Sequence, residues 1–149
     1  MEIYDSLLGA VCDEYDRVTL IKKSERGEVT LIRHRASGNR YIFRHFSGSS
    51  EVYRKLLTVS CPNLPQIMEV GEKEGKTALL EEYVQGDTLG EILQGGLLTA
   101  AQAKQITRQL CMALWVLHSL GVVHREVKPD NVIIRGTEAV LIDFDASRI

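Results

Sequence analysis

The chain has 149 residues, with 18 Lys and Arg against 20 Asp and Glu for a net charge of −2, too balanced to mark nucleic acid or an anionic membrane as the partner. One domain of ordinary size is expected, burying about two thirds of its unfolded surface. Cys12, Cys61 and Cys111 lie far apart without metal-ligand spacing, Glu2 and Asp5 replace the basic start of a signal peptide, and no apolar run approaches the roughly 20 residues of a membrane span, so a reduced, cytoplasmic protein without structural zinc is expected.

Ile3, Leu7, Leu8 and Val11 recur at helical spacing and predict a short amphipathic helix, an N-terminal extension over residues 1–16. Next come β-branched and aromatic segments at 18–21, 28–33 and 40–46, broken by Gly27 and by Ser37-Gly38-Asn39, which predict three antiparallel strands. Ser49 and Ser50 offer caps for a helix from Glu51 to about Thr58, with Val52, Leu56 and Val59 on one side. Pro62 and Pro65 stop it. Two more strands, 66–70 and 77–84, flank a polar turn from Gly71 to Lys76. Residues 17–84 thus read as a small lobe of five strands and one helix.

From residue 85 the pattern turns helical. Thr88 opens a short segment that ends at Gly95-Gly96, and Thr99 with Gln102 forms a capping box for a long helix. Ile106, Leu110, Ala113, Leu117 and Leu120 give that helix a buried stripe, and Gly121 ends it. Strands at 131–135 and 139–144 follow, turning at Gly136-Thr137-Glu138.

Chemistry concentrates at the end. Residues 124–131 read H-R-E-V-K-P-D-N, and Asp143-Phe144-Asp145 begins twelve positions after Asn131. Asp143 follows the apolar run Val140-Leu141-Ile142 and emerges at a strand end, where its carboxylate suits a hard cation such as magnesium; Asn131 offers a neutral oxygen to the same ion. A carboxylate, an amide, a lysine and a second acid across a hairpin are the groups that phosphoryl transfer uses.

This pairing resembles the catalytic loop and metal motif of protein kinases, H-R-D-L-x-x-x-N and D-F-G. The resemblance implies an α+β, protein-kinase-like fold: a five-stranded antiparallel N-terminal lobe with one helix, then the first helices and catalytic-loop hairpin of the C-terminal lobe. It implies ATP and Mg2+ as cofactors and a protein hydroxyl as acceptor. Asp143 and Asn131 would then hold metal, Lys128 would contact the transferred phosphate, Glu126 would stand for the catalytic aspartate, and Arg125 would ordinarily receive an activation-loop phosphate. Glu126 adds one methylene to the aspartate it replaces, a length that neighbouring backbone can absorb. Asp145 stands where the motif has glycine and is expected to cap the next turn.

Upstream, Gly27 and Val29 match the end of the glycine-rich loop, while Lys22 and Ser24 replace its first two glycines. Tyr41-Ile42-Phe43-Arg44 aligns with V-A-I-K, putting Ile42 over the adenine and Arg44 at the phosphate lysine, with Glu51 as its carboxylate partner. Glu81-Glu82-Tyr83-Val84, then Gly86-Asp87, resembles the hinge between kinase lobes, whose backbone groups would hydrogen-bond adenine. No activation segment and no A-P-E follow Asp145, so the resemblance implies an incomplete kinase domain. The lost glycines, Ile42, Arg44 and Glu126 also fit a pseudokinase that works through protein contacts. A small-molecule phosphotransferase of the aminoglycoside or choline type shares the Leu141-Ile142-Asp143-Phe144-Asp145 pattern, against which Arg125 and Lys128 favour the protein-kinase branch.

Overall fold

The computed structural model describes residues 2–149. Its elements run α1 (Ile3–Glu14), β1 (Tyr15–Lys23), β2 (Gly27–His34), β3 (Arg40–Ser47), α2 (Glu51–Leu56), β4 (Ile67–Lys73) and β5 (Lys76–Glu82). Then follow β6 (Asp87–Thr88), α3 (Leu89–Gln94), α4 (Ala100–Ser119), a 3-10 turn at Pro129–Asn131, β7 (Val132–Arg135) and β8 (Glu138–Leu141). Two compact units form: Met1–Val59 with Gln66–Tyr83, and Ser60–Pro65 with Val84–Ile149.

The first unit is an antiparallel sheet in the order β1-β2-β3-β5-β4. Period-two alternation divides its central strands between two faces. On one face Ile32, Phe43, Ala78 and Leu80 form a core with Tyr4, Leu7 and Val11 of α1. The predicted helix is therefore present, but Ile3 is exposed and Tyr4 takes the buried position. On the other face the register sets Val29 opposite Arg44, Leu31 opposite Ile42, and Ile42 opposite Glu81.

Local signals differ from the sequence expectation at several points. The turn between β4 and β5 is only Glu74-Gly75, with φ of 52° and 77°, the positive pair that a two-residue hairpin of matching twist demands; β4 therefore continues to Lys73. Helix α2 stops at Leu56 and buries Tyr53 and Leu56, with Val52 and Val59 only half-buried. Tyr53 rather than Val52 is inside because its ring packs 5.9 Å from that of Phe46. Ser50 at the N-cap makes no side-chain capping bond; Ser49 Oγ accepts the Glu51 amide instead.

In the second unit both capping boxes form, Thr88 with Glu91 and Thr99 with Gln102. Helix α4 buries only Ala113 and Leu117, while Ile106, Leu110 and Leu120 are half-buried. The stripe is narrower than its spacing suggests because α4 packs along β8 and meets the β7–β8 turn with polar groups. Gln109 accepts the Ala139 amide and donates to the Thr137 carbonyl at 3.1 Å. The two-residue β6 pairs with β7, a strand too short to leave a periodic signal. No helix among the described residues is long and apolar enough to cross a membrane.

Ser60–Pro65 belongs to the second unit although the chain on both sides of it belongs to the first. Asn63 makes the attachment: its Nδ2 donates to the Ala139 carbonyl at 2.9 Å and its carbonyl accepts from the Leu141 amide at 3.0 Å. Asn63→Ala strips the Ala139 carbonyl of that buried donor, and we expect a loss of about 1–3 kcal/mol. Urea unfolding followed by the fluorescence of Trp115, the only tryptophan and a residue of α4, measures it; an unchanged midpoint would show that Asn63 carries no share of this unit's stability.

Candidate active site

The catalytic-loop residues sit between α4 and β7 and are braced from within the second unit. His124 is 1% exposed. Its Nε2 donates to the Ile142 carbonyl at 2.9 Å and its Nδ1 accepts the Glu126 amide at 3.1 Å, so the imidazole needs a proton on Nε2 and a lone pair on Nδ1. The Phe144 ring stands edge-on to it at 5.5 Å. One histidine thus fixes the loop on one side and the strand leading to Asp143 on the other.

Asn131 provides the second brace. It closes the 3-10 turn rather than opening β7, donating its amide to the Lys128 carbonyl at 2.9 Å. The proline at the start of that turn fixes φ and lacks a donor that would be orphaned there anyway. Asn131 Nδ2 donates to the Glu126 carbonyl at 2.9 Å, and the Asn131 carbonyl accepts the Ile142 amide at 2.9 Å. Its Oδ1 is the neutral oxygen available to a hard cation. The backbone of Glu126 is thereby held at both its amide and its carbonyl.

Asp143 lies two residues beyond the end of β8 with φ 65°, and Arg125 has φ 75°. Left-handed backbone in a non-glycine residue is strained, more so for arginine than for aspartate, and such strain collects at functional sites. Asp143 is half-buried and its Oδ1 accepts the Asp145 amide at 3.2 Å, so Asp143 caps the turn at its own motif. After this turn Arg148 pairs with Val123 through two backbone bonds of 2.8 and 3.0 Å, and Ser147 Oγ donates to the His124 carbonyl at 3.2 Å. Glu126 is half-buried, while Arg125 and Lys128 are exposed. No group of three or more His, Cys, Asp or Glu side chains assembles a metal cage among the described residues. One carboxylate and one amide oxygen fit Mg2+ all the same, because that ion keeps several waters and takes one or two carboxylates with substrate phosphates.

In the first unit the structure places Val29, Ile42 and Arg44 on one sheet face and corrects the partner of Arg44. Arg44 Nε donates to Glu81 Oε1 at 2.9 Å, with the two residues 8% and 3% exposed; Glu51 lies exposed at the start of α2. The reason is register: Ile42 pairs with Glu81, so Glu81 is the diagonal neighbour of Arg44 on the same face. Sequence alone places Glu81 only in the hinge stretch and not beside Arg44; the signal for the pairing is the carboxylate that directly follows the buried run Ala78-Leu79-Leu80 and is itself buried, which requires a cation. Glu82 has its amide and one carboxylate oxygen engaged with Gln66, at 2.8 and 2.9 Å. Gly27 closes the β1–β2 hairpin with Ser24, and a Cβ there would stand 2.2 Å from the His45 carbonyl; the approach of β3 alone demands glycine. Val84 is buried and opens the second unit's main segment.

Residues 16–149 match the sequence model of the protein kinase domain. The chain is 34% identical over 100 residues to the serine/threonine-protein kinase pkn2 of Myxococcus xanthus, covering 64% of this chain and 12% of that one. It is 37% identical over 89 residues to the serine/threonine-protein kinase PknD of Mycobacterium tuberculosis, covering 58% and 13%. The crystal structure of Rad53 1-466 in complex with AMP-PNP superposes with a TM-score of 0.75 at 21% identity, covering 90% of this chain and 39% of that one. The likeness to Rad53 is one of fold, and the chain spans only a fraction of each relative's length. With the braced loop and the strained Asp143 motif inside the matched residues, the chain belongs to the protein kinase domain family.

Proposed function

We propose that this chain is the nucleotide-handling part of a serine/threonine protein kinase, whose complete form transfers the γ-phosphoryl group of ATP to a protein hydroxyl. The observation that carries this reading is the double brace of His124 and Asn131, which ties Glu126 to the strand that delivers Asp143. Asp143 and Asn131 hold Mg2+, which neutralises phosphate charge when bound. Lys128 meets the transferred phosphate, Glu126 orients the attacking hydroxyl, and Arg44, steadied by Glu81, pairs with nucleotide phosphates. Family membership and the named kinase relatives favour this over a small-molecule phosphotransferase. The test is magnesium-dependent transfer from labelled ATP to protein by the longest natural form, with small alcohols as the alternative acceptors; transfer only to the alcohols refutes the protein-kinase reading.

Glu126 supplies a directed prediction. Its backbone is fixed at both ends, so the additional methylene displaces the carboxylate by on the order of 1 Å, a misplacement worth about 10²-fold in rate. Glu126→Asp is expected to raise single-turnover phosphate transfer by up to that factor; a rate equal to or below the parent's would remove Glu126 from the role of base.

A second reading, the pseudokinase, is favoured by one feature: Arg44 is committed to Glu81 in a buried pair. Thermal-shift titration with ATP and magnesium separates the two, since binding without turnover supports the pseudokinase and turnover excludes it.

A further inference from the structure

Helix α1 precedes the residues that match the family, which begin at 16, yet it is built into the first unit. Tyr4, Leu7 and Val11 are buried against Ile32, Phe43, Ala78 and Leu80. The Tyr4 hydroxyl and His45 Nε2 form a hydrogen-bonded pair at 2.8 Å, and Lys73 Nζ donates to Asp5 Oδ2 at 2.8 Å. A Cβ on Gly71 would lie 2.4 Å from the Tyr4 amide nitrogen, so β4 admits the helix backbone only because residue 71 has no side chain. The helix passes from Glu14 straight into β1 at Tyr15, with no intervening loop on which it could swing away. Burial also holds the His45 imidazole below its ordinary range, with Lys76 and Arg17 adding to the effect and Glu28 opposing it.

Strand β3 joins this docking to the opposite face. Phe43 and His45 face α1, while the alternate residues Ile42 and Arg44 face the other way. Close-packed interiors transmit displacement instead of absorbing it, so whatever seats Phe43 and His45 also seats the backbone between them that carries Arg44. We infer that α1 is a fixed clamp on the sheet that sets the position of β3, with Tyr4 and Gly71 as positioning residues for the Arg44–Glu81 pair. The link from that pair to nucleotide phosphate rests on the kinase reading above; the clamp itself does not.

Gly71→Ala and Tyr4→Phe, each in the full chain, test the clamp. The readouts are amide exchange in α1 and β3, the NMR resonance of the Arg44 Nε–H, and the dissociation constant for Mg·ATP. With Gly71→Ala, exchange in α1 and β3 should accelerate together by on the order of tenfold or more, the Arg44 Nε–H signal should shift, and Mg·ATP should bind more weakly. Faster exchange in α1 with β3 and the Arg44 signal unchanged overturns the inference, as does unchanged protection of α1. Should Gly71→Ala fail to fold, Tyr4→Phe decides: it keeps the ring and loses only the hydroxyl bond, and an unmoved Arg44 signal counts against the clamp. If the parent chain binds no Mg·ATP, the nucleotide reading fails alone, because the Arg44 and β3 signals decide the clamp without ligand.

Discussion

Replacing Glu81 by alanine is expected to cost the first unit about 3–5 kcal/mol, the usual penalty for leaving one member of a buried ion pair without the other. The pair joins β3 to β5 with both residues less than a tenth exposed, so water has little access to replace the lost carboxylate. A domain's whole stability is about 5–15 kcal/mol, and the loss corresponds to roughly two to three and a half decades in the folded-to-unfolded ratio. Trp115 reports the other unit, so the measurement is amide exchange in β3 and β5. The matching double variant, Arg44→Met with Glu81→Leu, removes both charges and keeps volume, and should recover most of the loss, since such swaps are often neutral or stabilising. Exchange rates in Glu81→Ala within twofold of the parent would show that Arg44 does not depend on Glu81. The experiment also bears on the proposed function: the double variant would be well folded and lack the cation proposed to meet nucleotide phosphate, separating stability from nucleotide binding.

That pair marks the boundary of what the sequence discloses. Strand and helix positions are legible from periodicity and caps, because those signals are local: Thr88 and Thr99 with their glutamate and glutamine partners close capping boxes that can be read from four residues. The catalytic loop is legible because its residues are contiguous and its companion motif lies twelve positions on. Arg44's partner is not, since a diagonal across two strands separated by 37 residues depends on register, and the resemblance offers Glu51 on the following helix instead. The fixed backbone of Glu126 is hidden for a related reason. The histidine and the asparagine that hold it are visible as letters, but which of their atoms bond to backbone is settled only when the loop closes. Glycine shows the same limit: Gly27 matches the end of the glycine-rich loop in sequence, while the close approach of the His45 carbonyl that demands glycine there depends on strand register.

The last prediction concerns Asp143, where charge and backbone geometry can be separated by choice of substitution. Asp143 Oδ1 accepts the Asp145 amide, and its φ of 65° is a left-handed value. Asparagine retains an acceptor at that position and tolerates that backbone, while alanine does neither. Asp143→Asn should therefore fold like the parent, and Asp143→Ala should lose about 1–3 kcal/mol of stability through strain and the unmet amide. Both remove the carboxylate that would hold magnesium. A metal ion's stabilisation of transition-state charge is worth several kcal/mol, and at about 4 kcal/mol the transfer rate falls by roughly three decades. The expected pattern is two variants with equal and nearly complete loss of transfer and unequal stability, read by single-turnover assay with labelled ATP in the longest natural form and by thermal unfolding. Asp143→Asn with transfer near the parent's would remove Asp143 as the metal ligand; equal stability in the two variants would remove the strain argument and leave the ligand assignment standing.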